Sequence, residues 1–357
     1  MLVALLSAAD YAIFAALLPL VLDTVMKPLT LSVVMPNYNH ARYLADAIEG
    51  IATQSRPPDE FLILDDGSTD NSLEIIEPYL KQYPFLRLIR HERNRGVIAA
   101  NERLFAEARG DLLFAAAADD VRLPGFFARA VQMAEQFPQA GLVFGAVGII
   151  DEAGRPLGRI DVRRWQEPLY ADPQRFLREY LMVELPAHSP CSGTMYRRAV
   201  LLEAGGYRAD LGSWSDTFAF RAIGLKYGVC YLAEEVARFR KLIGSFSQQA
   251  VAQPRRLLDI IARAECRMRS AEFRERFPEE YVRRWRRACR WQVLWDYALG
   301  SESGARPRPS FWARNLRRLP RACHALLLLL GYRGQTQGCE SQAADCRTTN
   351  PARKICP

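Results

Sequence analysis

The segment from Leu29 to Ile150 alternates short apolar runs with amphipathic stretches, and this alternation constrains the fold more than any other feature. "LTLSVVM", "FLIL", "FLRLI", "DLLFAAAA" and "GLVFGAVGII" have the length and apolar content of buried strands. The stretches between them carry apolar residues at helical spacing, as "ARYLADAIEGIATQ" does. Strands that alternate with helices at this spacing predict a parallel sheet covered by helices on both faces.

Polar clusters follow three of the predicted strands directly. They are Asn37-Tyr38-Asn39, Asp65-Asp66 and Asp119-Asp120. In open α/β sheets the ligand binds outside the carboxyl ends of the strands. We therefore expect three strands to deliver polar groups to one edge of the sheet.

Asp119 and Asp120 end an apolar run, where two adjacent acids are costly without a positive partner. One interpretation is that an aspartate caps the next helix, because Pro124 lies close by. The other is that two carboxylates at a strand end bind a hard divalent cation, Mg²⁺ or Mn²⁺, which also bridges substrate phosphates. Capping explains one aspartate but not two.

Asp65, Asp66 and Tyr38 also have two interpretations each. "DDGSTD" is rich in turn formers, but Asp70 or Asn71 is the better helix cap, which leaves the two preceding acids free for a ligand. A carboxylate there accepts a hydrogen bond from a ring N–H or a ribose hydroxyl. Tyr38 either packs in the core or stacks on a base.

Several function classes lack their usual motifs in this chain. There is no GxGxxG after the first strand and no GxxxxGK[ST], which removes the main support for a dinucleotide or P-loop site. The eight cysteines form no CxxC pair and there are four histidines, so a zinc site is not indicated. The net charge of +8 predicts an anionic partner.

The chain divides into four regions by composition. Residues 1–26 are apolar and predict a packed helix, an interfacial helix or a weak membrane anchor, unless translation starts at Met26. Residues 27–250 form the main predicted α/β domain, and the alternating pattern covers its first part. Residues 251–334 contain nineteen arginines and eight acidic residues and look helical. Residues 335–357 are expected to be disordered.

Five segments in this order resemble the family 2 glycosyltransferases. They are "LSVVMPNYNHARYLADAIEGIATQ", "LILDDGSTDNS", "RNRGVIAAN", "ARGDLLFAAAADDVRLPG" and "LGSWSDTFAFRAIGLKYG". The resemblance covers roughly residues 29–250. It implies the GT-A fold, an α/β Rossmann-like and mostly parallel sheet flanked by helices, here with a C-terminal helical extension.

The resemblance also implies a reaction and a set of site residues. Such enzymes bind a nucleoside diphosphate sugar and a divalent metal, and they transfer the sugar with inversion. Asp216 in "SWSDTF" occupies the position of the catalytic base, although a helix cap explains it too. The residues implied for the donor are Pro36, Tyr38 and Asn39 at the nucleoside, Asp65 and Asp66 at the base or ribose, Asp119 at the ribose, and Asn101 and Arg240 at the phosphates. Asp120 is implied as the metal ligand.

The chain departs from the family pattern at three of these places. Ala117 stands where many relatives have the first acid of an Asp-x-Asp spacing, and Leu242 stands where a histidine often reaches the metal. Asn101 stands where relatives often carry a phosphate-binding arginine, with Arg103 two residues on. Arg240 or Lys241 is the candidate to contact the diphosphate in place of the missing histidine. "RACRW" lacks the glutamine of the processive members, so we expect transfer of a single sugar.

We expect a UDP, GDP or dTDP sugar as donor and a glycan or lipid-linked acceptor, in cell-surface polysaccharide biosynthesis. The acceptor residues His188, Ser192 and Trp214 are guesses from a variable stretch. A non-catalytic sugar-nucleotide-binding module remains an alternative because of Ala117 and Leu242, and a nucleotidyltransferase would need a glycine-rich loop after the first strand. The basic C-terminal region predicts either a solvated face or contact with an anionic membrane, and we expect no nucleic-acid partner. The expected location is cytoplasmic, peripheral at the inner face of the cell membrane.

Overall fold

A computed structural model describes residues 28–160, 162, 164–183, 190–242 and 253–299. The predictions for residues 1–26, for the basic region from 300 onward and for the tail 335–357 fall outside these residues, as does His188. The division into four regions therefore stays a prediction.

Ten strands form one sheet in the described part of the chain. The apolar runs become strands because they are buried on both faces, as Leu31–Asn37 and Glu60–Asp65 are along nearly their whole length. The strands are β1 (Leu31–Asn37), β2 (Glu60–Asp65), β3 (Leu86–Arg90), β4 (Leu112–Ala115), β5 (Val121–Arg122), β6 (Leu142–Ile150), β7 (Pro156–Ile160), β8 (Leu169–Ala171), β9 (Thr194–Arg197) and β10 (Val229–Arg240).

Helices connect most of these strands and cover the sheet. The apolar stripe predicted for the first helix is confirmed, since Leu44, Ala47, Ile48 and Ile51 are all buried. The helices are α1 (Ala41–Ala52), α2 (Ser72–Gln82), α3 (Val97–Glu107), α4 (Phe126–Gln136), α5 (Pro173–Arg175, followed by a π turn at Phe176–Leu181), α6 (Arg198–Glu203), α7 (Ser215–Tyr227), α8 (Pro254–Arg269) and α9 (Glu279–Leu299).

The sheet has a parallel half and a mixed half. Its order is β3-β2-β1-β4-β9-β6-β10-β5, with β7 on β6 and β8 on β10. The strands β3, β2, β1 and β4 are parallel, β9 runs antiparallel to both β4 and β6, and β10 is parallel to β6. The predicted α/β fold class is confirmed, with the parallel arrangement concentrated in the first half. Antiparallel neighbours such as β6 and β7 need no crossover helix, so the pattern of alternating strand and helix ends there.

The pairing register brings the polar clusters to one edge. Asn37 lies opposite Asp65 across the β1–β2 pair, and Ala115 lies opposite Val34 across β1–β4. The strand predicted over 111–118 is too long by four residues, one at its start and three at its end. The Ala116 N–H still donates to the Val34 carbonyl at 2.8 Å, but the chain then turns at Ala118 and Asp119.

The two helical layers pack on opposite faces of the sheet. One core cluster holds α1 and α4 against residues such as Val33 and Phe114. The other holds α3, α7, α8 and α9 against Val34, Leu113 and Phe144. The helices predicted in the basic region are confirmed for the described residues of that region, and they share this second core. In the described part of the chain, no helix combines the length and the apolar character that crossing a membrane requires.

Candidate active site

A cleft of about 670 Å³ opens at the carboxyl ends of β1, β2 and β4. The run of alanines after β4 forms part of its wall, and these small side chains leave the space that a ligand needs. The polar and aromatic residues that line it are Asn37, Tyr38, His40, Asp66, Asn94, Asn101, Asp119, Asp120, Cys191, Ser192, Tyr207, Ser213, Asp216, Phe239 and Arg240.

Asp120 is buried at the cleft and is held by its surroundings. Its Oδ1 accepts a hydrogen bond from the Arg240 backbone N–H at 2.9 Å, and the Ser192 hydroxyl donates to the same carboxylate. The Arg122 Nη1 lies 3.7 Å from Oδ2, and both side chains are at most 1% exposed. Neither Asp119 nor Asp120 caps the next helix, because α4 begins after Gly125 without a side-chain cap. The capping interpretation of these acids is therefore wrong.

Burial raises the pKa of both Asp119 and Asp120, whereas the positive charge of Arg122 opposes the rise. The Asp120 Oδ2 finds no hydrogen-bond partner among the described residues. A buried oxygen in this state at the wall of a cleft is suited to a cation.

The donor set fits a divalent cation that is completed by a substrate. In the described part of the chain no three acidic, histidine or cysteine side chains converge as a metal cluster. Mg²⁺ takes only one or two carboxylates where phosphates and water supply its other ligands. Asp120, with Asp119 beside it, matches that requirement, so Asp120 would hold Mg²⁺ or Mn²⁺ together with a diphosphate.

Asp216 enters the cleft from the other half of the fold. It lies in the first turn of α7, where its Oδ1 accepts from the Thr217 backbone N–H at 2.5 Å and its carboxylate from the Cys191 thiol. The residue before α7 is Trp214, so Asp216 is not the helix cap. Burial raises the pKa of Asp216 above the ordinary value of an aspartate. A carboxylate of raised pKa at a cleft wall is suited to general-base chemistry.

Asp66 lines the cleft and also organises a loop. Its carboxylate accepts from the Gly96 N–H at 2.8 Å and from the Arg95 N–H, and it lies 2.7 Å from the His91 Nδ1. Pro36 and Tyr38 line the cleft beside it, and Tyr38 is 39% exposed, which suits a stacking platform rather than core packing.

Asn39 and Asp65 lie next to the cleft, but their side chains are bonded elsewhere. The Asn39 Oδ1 accepts from the Thr69 N–H at 2.8 Å. The Asp65 carboxylate accepts from the Asn37 amide at 2.9 Å and from the Ser68 N–H at 3.0 Å. These bonds fix the turn after β2, which matches the turn interpretation of "DDGSTD".

Asn101 and Arg240 line the cleft, with part of their bonding capacity used. The Asn101 amide donates to the Val97 carbonyl at 2.9 Å. The Arg240 guanidinium donates to the Asp119 carbonyl at 2.9 Å and lies over the Tyr43 ring at 4.6 Å. Arg240 thereby ties β10 to the turn that carries the two acids.

Sequence reasoning missed several lining residues. His40, Asn94, Tyr207, Ser213 and Phe239 line the cleft but follow no chemical motif. His40 and Asn94 lie in loops at the same edge of the sheet as the predicted polar clusters, so their position in the sequence could have indicated them. Of the guessed acceptor residues, Ser192 lines the cleft, and the Trp214 ring packs edge-on against Trp285 at 5.2 Å.

Comparisons with known proteins agree with this fold. Residues 32–204 match the profile described as "Glycosyl transferase family 2". YibD of Escherichia coli K12, named an uncharacterized glycosyltransferase, is 30% identical over 203 residues, which are 55% of this chain and 58% of that protein. This chain therefore spans little more than half the length of that relative.

Two solved structures share the fold at low sequence identity. TarS of S. aureus (residues 1–349, with UDP-GlcNAc) has a TM-score of 0.61 at 17% identity, covering 84% of this chain and 80% of that one. The mannosyltransferase PcManGT of Pyrobaculum calidifontis, with GDP-Man and Mn²⁺, has a TM-score of 0.54 at 19% identity, covering 90% and 88%. These two structures show the fold alone. The profile match and the curated relative place residues 32–204, just under half of the chain, in glycosyl transferase family 2.

Proposed function

We propose that this chain transfers one sugar from a nucleoside diphosphate donor to a hydroxyl of a glycan or lipid-linked acceptor, with inversion. The observation that carries the proposal is that Asp216, on α7, and the pair Asp119 and Asp120, after β4, line the same cleft although they are far apart in sequence. A base on one side and a site for a diphosphate on the other are the two parts that a single displacement needs.

The donor would lie along the carboxyl ends of β1, β2 and β4. Tyr38 offers an exposed ring for the nucleobase, and Asp119 offers a carboxylate for a ribose hydroxyl. The names of the two similar structures include a UDP sugar and a GDP sugar, so we keep UDP, GDP and dTDP as candidate nucleotides.

A divalent cation held by Asp120, with Asp119 beside it, would supply positive charge to the leaving diphosphate. Residues of the chain itself shape this cation site. Arg122 and the Arg240 backbone N–H keep Asp120 oriented, and the alanine wall leaves room for the phosphates.

Asp216 would take the proton from the acceptor hydroxyl as that oxygen attacks the anomeric carbon. The Thr217 N–H and the Cys191 thiol hold its carboxylate in place, and burial raises its pKa toward the range in which a base is effective. A single base and a single displacement invert the anomeric configuration. Activity in cell-surface polysaccharide synthesis and a cytoplasmic position at the membrane stay predictions.

A binding module without catalysis is the second candidate. Ala117 favours it, because this residue replaces an acid of the common spacing and contributes a methyl group to the cleft wall. The two candidates differ in turnover but not in nucleotide binding.

A hydrolysis panel of nucleotide sugars with Mg²⁺, Mn²⁺ or a chelator distinguishes the candidates. We expect one donor to be turned over and Asp216→Asn to lower the rate by roughly 10²- to 10⁴-fold, the usual contribution of a general base, with donor affinity retained. Asp210→Asn is the matched control, because Asp210 is paired at the surface with Arg267 at 2.8 Å. Full activity of Asp216→Asn would exclude Asp216 as the base. Nucleotide binding without turnover of any donor would favour the binding module.

A further inference from the structure

The outward side of α9 carries three arginines and an exposed tryptophan. Arg283, Arg284, Arg287 and Trp291 fall within about 100° of the helix circumference at 3.6 residues per turn. All four are exposed, Trp291 at 60%. We call these four residues the arginine face.

The opposite side of α9 is fixed in the core. Tyr281, Val282, Trp285, Cys289 and Val293 are all buried there. Because this side is anchored, the helix presents the arginine face outward in a fixed orientation.

The acids near the arginine face leave its positive charge in excess. Glu279 accepts hydrogen bonds from Arg269 at 2.9 and 2.8 Å, so its charge is already matched, and its contact with the Arg283 Nε is longer, at 3.8 Å. Glu280 is exposed in the first turn. Glu280 falls on the arginine face and offsets one of its three charges, so the net positive charge lies on the part of the helix from Arg283 to Trp291.

We propose that the arginine face docks on an anionic lipid surface. Anionic headgroups attract exposed arginines, and tryptophan favours the membrane–water interface. Because the apolar side of α9 is buried in the protein core, the contact with lipid would depend on the charge of the three arginines and on Trp291. A single-stranded nucleic acid is the weaker match, because its binding sites alternate several aromatic rings with the basic groups and this face has one ring.

The position of α9 connects this surface to the cleft. Trp285, on the anchored side of α9, packs edge-on against Trp214 at 5.2 Å, and Asp216 lies two residues farther on. Docking through α9 would hold the candidate base close to the membrane, where a lipid-linked acceptor resides. Only this purpose rests on the proposed function, because the surface itself is argued from exposure and charge.

Vesicle co-sedimentation of the full chain tests the surface. We expect binding to phosphatidylcholine vesicles that contain phosphatidylglycerol, little binding to phosphatidylcholine alone, and weaker binding at higher salt. Three arginines near an anionic surface are together worth on the order of a hundredfold in partitioning. Only part of this attraction is needed for a measurable effect. Binding should weaken by roughly tenfold or more in the triple variant Arg283→Gln/Arg284→Gln/Arg287→Gln.

The matched control removes the same charge elsewhere. Arg90→Gln/Arg103→Gln/Arg109→Gln changes three exposed arginines around β3, α3 and the turn before β4, and it should leave vesicle binding nearly unchanged. Quenching of tryptophan fluorescence by brominated lipids should fall in Trp291→Phe.

Three results would overturn the proposal. They are unchanged binding of the α9 triple variant, an equal loss in the control variant, and stronger binding of single-stranded RNA than of vesicles with the same dependence on the three arginines. Nucleotide binding and donor hydrolysis are measured without vesicles, so failure here leaves the proposed function untouched, and the reverse also holds.

Discussion

Asp120 has a positive partner within the protein itself. Arg122 follows it by two residues, and alternate residues of an extended segment point to the same side, so the pair meets with both side chains fully buried. The spacing in "DDVRLP" was available in the sequence. What the sequence could not show is that Arg122 also packs over the Phe114 ring at 5.0 Å, which makes burial of the cation tolerable.

The raised pKa of Asp216 predicts the pH dependence of transfer. A general base works when it is deprotonated, so the rate falls as the pH drops through its pKa. Because burial raises this pKa, the loss of rate should begin at a higher pH than an ordinary aspartate would give. The measurement is kcat against pH at saturating donor, which reports the base in the bound complex.

Burial also raises the pKa of Asp119 and Asp120. A loss of rate at low pH is therefore assigned to Asp216 only if a second measurement separates it from the titration of these two residues. Their protonation should weaken donor binding and appear in the KM for the donor, whereas protonation of Asp216 should appear in kcat. An acid limb of kcat in the range of an unperturbed aspartate would contradict the assignment. The assignment would also be contradicted if the residual activity of Asp216→Asn kept the same fall in kcat at low pH.

At the scale of elements, the strands and the site edge could be predicted because both follow from local patterns. Apolar runs mark buried strands, and parallel strands align their carboxyl ends. The loop bonds could not be predicted, because they join residues that are far apart in sequence. Asp66 reaches Gly96 across thirty positions, and Asp70 accepts from the Ala41 N–H at 3.0 Å at the start of α1.

The packing of α9 against α7 supports the candidate base. The Arg221 side chain, on α7, is buried, and it donates from Nε to the Tyr281 hydroxyl at 3.0 Å and from Nη1 to the Thr217 carbonyl at 3.1 Å. The hydroxyl belongs to α9, and Thr217 directly follows Asp216. The C-terminal helices therefore position the turn that carries the candidate base.

Tyr281→Phe should destabilise the protein and slow transfer. The change deletes one acceptor of a buried guanidinium while keeping the ring, and a hydrogen bond to a charged group is worth about 1.5–3 kcal/mol. Urea unfolding measures the free energy, and kcat measures the position of the base. Tyr79→Phe is the control, because the Tyr79 hydroxyl bonds Glu49 at the surface, where the loss should stay below about 1 kcal/mol. Equal effects of the two changes would argue against this role of Tyr281.

At the scale of the whole molecule, the composition boundary near residue 250 does not coincide with a boundary of the core. One continuous apolar cluster joins sheet residues such as Val34 and Phe144 to Ile261 on α8, Phe273 in the following turn and Trp285 on α9. The sequence indicated a basic helical region there but not its inward face, because arginines dominate the composition. The burial of that face makes the helices part of the catalytic fold.

A chain that ends at residue 250 should therefore fail to fold stably. This shorter chain lacks α8, α9 and the turn between them. It therefore loses at least seven large apolar side chains that are buried in the intact chain: Leu258, Ile261, Met268, Phe273, Phe277, Val282 and Trp285. At about 1.5–3 kcal/mol for each, this loss is on the order of 10 kcal/mol or more, which matches the whole stability of a typical domain. We expect the intact chain to unfold in one transition with coincident circular dichroism and tryptophan fluorescence. A chain that ends at 334 is the control and should keep the same midpoint, whereas a chain ending at 250 that unfolds cooperatively at that midpoint would show that the sheet is stable without these helices.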